Sequence, residues 1–186
     1  MRAALLASIA LALTGCGGSD DSKVQPPPAP APATAPATSA PEEPGRSAME
    51  ALIAFARAPS DEAWAAVPLA DEVALGLADT LSPPRSRHVL RDPNSWRLAV
   101  DAFRGRAGTA SALELIASEE GALRITHGPH PHCAAPPVPP PARAAALQRV
   151  VVQPSGPDGC LDWWTVDAFV TSEGRIRAVT LDLWEP

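Results

Sequence analysis

No run of basic residues occurs anywhere in the 186-residue chain, and acidic side chains outnumber basic ones 21 to 15, for a net charge of -6. That balance argues against nucleic acid as a partner, because phosphate recognition needs clustered cations. Long apolar stretches are also missing. The longest, Ala3 to Leu13, is too short to cross a bilayer as a helix, which takes about 20 residues. There is no nucleophile elbow, no glycine-rich phosphate loop and no zinc-protease motif, so no signature points to the enzyme classes these mark. Only three Cys and four His are present, and no Cys spacing of the zinc-finger type supports a structural metal site.

Aromatic residues are scarce too, but three of the five Trp fall within Cys160 to Pro186, CLDWWTVDAFVTSEGRIRAVTLDLWEP. This stretch predicts a long β-hairpin. Val166, Phe169, Val170, Ile176, Val179 and Thr180 favour strands, and Ser172-Glu173-Gly174 supplies a turn. A slip of one residue would invert every side chain, so the apolar pattern selects one register, with Ser172 opposite Arg175. Trp164 then faces Leu183, Val166 faces Leu181 and Ala168 faces Val179, which makes one apolar face. The other face pairs Trp163 with Trp184, Thr165 with Asp182, Asp167 with Thr180 and Phe169 with Ala178. Trp163, Thr165, Asp167, Thr180, Asp182 and Trp184 are therefore the expected ligand-binding residues.

At the other end, MRAALLASIALALTGC carries one cation at Arg2, a short apolar run and then small residues. Leu13-Thr14-Gly15-Cys16 resembles a bacterial lipobox. The resemblance implies that residues 1–15 are a signal peptide and that Cys16 is lipidated, with acyl chains holding the protein to a membrane. It further implies the non-cytoplasmic face of the cell envelope. Because Gly17 rather than Asp follows the Cys, it implies the outer membrane where the source is Gram-negative. Residues 16–46 then read as a disordered Pro/Ala-rich tether, since almost nothing apolar larger than Ala is available to bury. In polyproline II geometry such a tether reaches up to roughly 90 Å.

Residues 47–186 carry enough apolar side chains for a single domain. Ser47-Ala48-Met49-Glu50 reads as a capping box opening a helix, with Met49, Leu52, Ile53 and Ala56 on one face and Pro59 as its stop. Ser60 or Asp61 starts a shorter helix carrying Trp64. Val73, Leu75 and Leu77 alternate, as do Trp96, Leu98 and Val100, and each set predicts a strand. Residues Thr109 to Ser118 predict a short helix, and Leu123 to Ile125 and Val150 to Val152 two further strands. The pattern is α+β, with N-terminal helices packed on a mostly antiparallel sheet that ends in the C-terminal hairpin. In that order of elements, and in the closing hairpin around Ser172-Glu173-Gly174-Arg175-Ile176, the domain is similar to nuclear-transport-factor-2-like cone folds. That resemblance implies a pocket between sheet and helices and transfers no catalytic residue.

Two groups of residues offer chemistry beyond the hairpin face. His127-Gly128-Pro129-His130-Pro131-His132-Cys133 gathers three imidazoles beside a thiol, a donor set suited to zinc or copper. With Cys16 lipidated, however, an oxidising compartment favours a Cys133–Cys160 disulfide. Closing that 27-residue loop would contribute roughly 3 to 4 kcal/mol in the chain-entropy model. The bridge would leave His127, His130 and His132 as the metal alternative. Asp167 and Asp182, diagonal neighbours on the polar hairpin face, are the general acid/base alternative. The reading that follows is an envelope lipoprotein with a noncatalytic domain that needs no cofactor. It is held to a membrane by its lipid and binds a small ligand or an envelope protein.

Overall fold

A computed structural model of the chain describes residues 43–103, 106–128, 138–155 and 163–184. Helix α1 (Pro44–Arg57) begins three residues before the expected capping box. Pro44 occupies the first helical position, where its missing N–H costs nothing. The carbonyl of Glu43 accepts from the amides of Arg46 and Ser47 at 2.9 and 3.4 Å, so Ser47 lies within the first turn and does not cap it. Ala48, Met49, Leu52, Phe55 and Ala56 are buried along one face. Helix α2 (Asp61–Ala66) is capped by Ser60, whose hydroxyl accepts from the Ala63 amide at 3.1 Å. Its Trp64 packs on Phe55, ring centroids 5.1 Å apart.

Strand β1 (Leu69–Leu77) is followed by two short strands, β2 (Thr80–Leu81) and β3 (Arg85–Ser86), both antiparallel to it. Helix α3 (Arg87–Leu90) and a 3-10 turn at Pro93–Trp96 complete the connection that the sequence leaves irregular. Trp96 is buried there, its indole N–H donating to the Leu90 carbonyl at 2.7 Å. Strands β4 (Arg97–Phe103) and β5 (Arg106–Ser111) form a separate antiparallel pair, and α4 (Ala112–Ser118) follows. Strand β5 replaces the first residues of the expected Thr109–Ser118 helix. Its Arg-Ala-Gly-Thr-Ala-Ser run has no apolar alternation, and only the partner strand β4 makes it a strand, a case of tertiary pairing overriding local propensity.

The remaining strands are β6 (Leu123–His127), β7 (Gln148–Pro154), β8 (Trp163–Val170) and β9 (Ile176–Trp184). They join β1 and β2 in the order β2-β1-β9-β8-β7-β6, with β3 also on β1. Among the described residues only β1 and β9 run parallel; the other neighbours are antiparallel. The architecture is α+β, and its sheet ends in the β8–β9 hairpin.

The hairpin holds the register read from the sequence, from Trp163 opposite Trp184 to Phe169 opposite Ala178. The turn differs. Val170 pairs with Ile176 across a bulge, not with Arg177, and Ser172 does not face Arg175. The Thr171 amide donates to the Arg175 carbonyl, and the Gly174 amide to the Thr171 carbonyl, both at 2.9 Å. Gly174 sits at φ 80°, the left-handed conformation that glycine adopts without cost and that demands the extra residue here. The apolar face of the sheet packs Trp164, Val166, Val152, Val179 and Leu75 with α1 and α4 residues such as Met49, Leu52 and Ile116 in one core.

Candidate functional site

The second face of the sheet is built from alternate residues of β7, β8 and β9. Arg149, Val151 and Gln153 come from β7, Thr165, Asp167 and Phe169 from β8, and Ala178, Thr180 and Asp182 from β9. In the paired register Asp167 lies between Val151 and Thr180, and Thr165 lies beside Asp182. The pairing read from the sequence brings the β8 and β9 residues of this face together but leaves out β7 and leaves the face open. The structure closes it: Thr165, Asp167 and Thr180 are 4%, 3% and 1% exposed. Asp182 is half-buried.

Part of the cover is the segment Val138–Leu147. Pro141 and Ala144 are buried, and Ala144 and Leu147 belong to an apolar cluster with Phe169, Ala178, Ala74 and Leu81. A proline-rich strap suits this place for a physical reason. Pro141 has no backbone N–H, so burying it strands no donor, while Pro139 and Pro140 stay exposed.

Arg149 ties the strap to the sheet. Its Nε and Nη2 donate to Asp167 Oδ2 at 2.9 and 2.5 Å, and its Nη1 donates to the Val138 carbonyl at 2.7 Å. The two side chains are 10% and 4% exposed, so this is a buried ion pair. Burial pushes the Asp167 carboxyl up to about 6; the Arg149 charge and hydrogen bond and the nearby Thr165 hydroxyl oppose the shift, and the Asp182 charge adds to it. Asp167 Oδ1 is buried and has no hydrogen-bond partner among the described residues. Sequence reasoning missed Arg149. The available signal was a lone cation inside the apolar Arg149-Val150-Val151-Val152 run, which in a central strand requires a counter-ion nearby.

This arrangement bears directly on the acid/base alternative. Asp167 is bound to Arg149 and shielded from water, so the Asp167 and Asp182 carboxylates do not form an open pair around a shared ligand. Trp163 is half-buried at the end of the same face, and its backbone is paired with that of Trp184.

Of the metal alternative, His127 is described and His130 and His132 lie outside the described residues. His127 Nε2 is 2.7 Å from Glu43 Oε2, and its Nδ1 is 3.3 Å from Gln148 Nε2, so both ring nitrogens are engaged in joining β6 and β7 to the start of α1. No group of three His, Cys, Asp or Glu side chains is placed to hold a metal among the described residues. Cys16, Cys133 and Cys160, the expected lipidation site and disulfide, lie outside the described residues.

A groove of about 440 Å³ opens elsewhere, between the β1–β2 turn and β4. It is lined by Leu77, Ala78, Thr80, Ser82, Leu98 and Ala99, with Asp79 as its one ionisable residue. Such a lining offers apolar contact and a few hydrogen bonds, with no second titratable group for proton transfer. No protein-family model, curated protein or solved structure matches this chain.

Proposed function

We propose that this chain is an exported lipoprotein, anchored by acyl chains on Cys16 at the non-cytoplasmic face of the cell envelope, whose domain is a noncatalytic binding module. The anchor rests on Leu13-Thr14-Gly15-Cys16 and the apolar run before it. The Pro/Ala tether between Cys16 and α1 separates the domain from the membrane. Where the envelope has two membranes, Gly17 after the Cys favours the outer one.

The observation that carries the noncatalytic reading is the Arg149–Asp167 pair. The chain's best-placed carboxylate for acid/base work is bound to Arg149, which also donates to the Val138 carbonyl of the strap. A buried ion pair that joins two elements serves architecture, and breaking it leaves an uncompensated charge. We assign ligand or partner binding to the groove beside the β1–β2 turn, the opening lined mainly by apolar groups.

Lipidation is checked by metabolic labelling with a palmitate analogue and detergent-phase partition of the full chain. The wild type is expected to take up label and to enter the detergent phase. Cys16→Ala is expected to lose the label and to remain unprocessed. An unlabelled wild type in the aqueous phase would refute the anchor.

A further inference from the structure

We propose that the groove beside the β1–β2 turn is a strand-addition site, which takes an extended peptide segment of a partner protein, carrying an apolar residue and a Lys or Arg, along the free edge of β4. This deepens the assignment of binding to that groove and rests on it. The groove touches both Leu98 and Ala99. Successive residues of a strand point to opposite faces, so an opening that touches both borders an edge of β4. Strand β5 covers one edge and contributes no residue to the lining. The edge that meets the groove is therefore the other one.

The backbone at that edge is directed outward. The Arg97 amide donates to the Asn94 carbonyl of the preceding turn, so it points away from β5. Alternate residues of an antiparallel strand aim their amides and carbonyls the same way, and the Ala99 N–H and C=O point away from β5 as well. Among the described residues β4 has no second partner strand, and Ala99 is exposed. A bare edge of this kind is a template for another chain. Strand β2, across the groove, is closed off by Pro83 and Pro84, whereas β4 contains no proline. Leu77 and Leu98 offer apolar contact to a side chain of the added strand, and main-chain bonds together with such a pocket are how strand addition binds. The surrounding charge selects the occupant. Asp79 lies in the lining, Asp101 is exposed farther along β4, and the lining holds no cation. The cation on β4 itself, Arg97, is bound to Glu114 at 2.9 Å. A basic residue on the peptide is favoured and an acidic one repelled.

Selection of peptides from a displayed random library against the full chain tests this. The recovered peptides are expected to alternate apolar and polar residues and to carry a Lys or Arg. Their affinity, measured by titration calorimetry, is expected to fall about tenfold in Ala99→Pro, which removes the outward N–H and leaves the β4–β5 ladder whole. Asp79→Asn is expected to erase the advantage of Lys or Arg over an uncharged residue. Methylating backbone amides of the peptide tests the pairing even if Ala99→Pro folds poorly: one alternate set is expected to matter and the other not. Failure to recover any peptide, peptides that bind Ala99→Pro as tightly as the wild type, or equal sensitivity of both amide sets would overturn strand addition. An apolar naphthalene dye separates this from the reading it rests on. Dye bound beside Leu98 with no peptide recovered would leave the groove as a binding site and remove strand addition, whereas binding of neither would remove both.

Discussion

Replacing Arg149 with leucine is expected to destabilise the domain by about 3–5 kcal/mol at pH 7.5, the usual cost of leaving a buried charge without its partner. The cost is expected to shrink at pH 5, where Asp167 takes up a proton and no bare carboxylate remains. The sign follows from the group itself. Its carboxyl is raised from 3.8 to about 6 by burial, so the folded state holds a proton that the unfolded chain has released between those values. The stability this group contributes is thus fully present below about pH 4 and is lost as pH rises through 6, a swing of about 3 kcal/mol. Urea unfolding of the wild type and Arg149→Leu at the two pH values measures both effects. The double replacement Arg149→Leu/Asp167→Leu is expected to recover most of the loss, since an apolar pair of similar volume removes both desolvated charges. An equal penalty at pH 5 and 7.5 would mean that Arg149 acts only through the Val138 carbonyl.

Trp164→Ala is expected to cost a further amount of the same order, about 3–5 kcal/mol, because it empties a large space in the core. Trp164 is fully buried on the apolar sheet face, among the largest side chains in the core that α1 and α4 cover. Its indole N–H has no hydrogen-bond partner among the described residues. Trp164→Phe therefore removes a buried donor that gains nothing, and is expected to cost only about 1 kcal/mol through lost volume. Thermal and urea unfolding of both variants separates packing from hydrogen bonding. A Phe variant as unstable as the Ala variant would assign an essential polar role to the indole.

The contrast between the two faces shows what the sequence makes legible. The hairpin register could be read because Trp164, Val166 and Ala168 alternate with Thr165, Asp167 and Phe169, and a slipped pairing would bury the wrong set. The α+β arrangement followed from the same periodicities. The fate of the polar face was not legible, because its cover is a proline-rich segment with neither a 2.0 nor a 3.6 repeat. The proline-rich run reads as an extended loop lying over the domain, but which face it covers is seen only with Arg149 and the Phe169–Ala178 cluster in place. The partnership of Arg149 with Asp167 is similarly hidden. Arg149 stands directly opposite Phe169, and only the strand order β9-β8-β7 makes Asp167 its diagonal neighbour. Strand β5 escaped for a different reason, having no apolar pattern of its own. The turn at Gly174 was placed correctly, but its bulge depends on a backbone conformation that composition alone does not specify.

The most direct test of the buried-face account is a carbon-13 NMR titration of the Asp167 side-chain carboxyl in the intact protein. The account places its midpoint at about 6, with a shift toward lower pH in Asp182→Asn. A midpoint at about 4, the value of a carboxylate in open water, would contradict it and return Asp167 to the solvent-facing surface where a ligand or substrate could reach it.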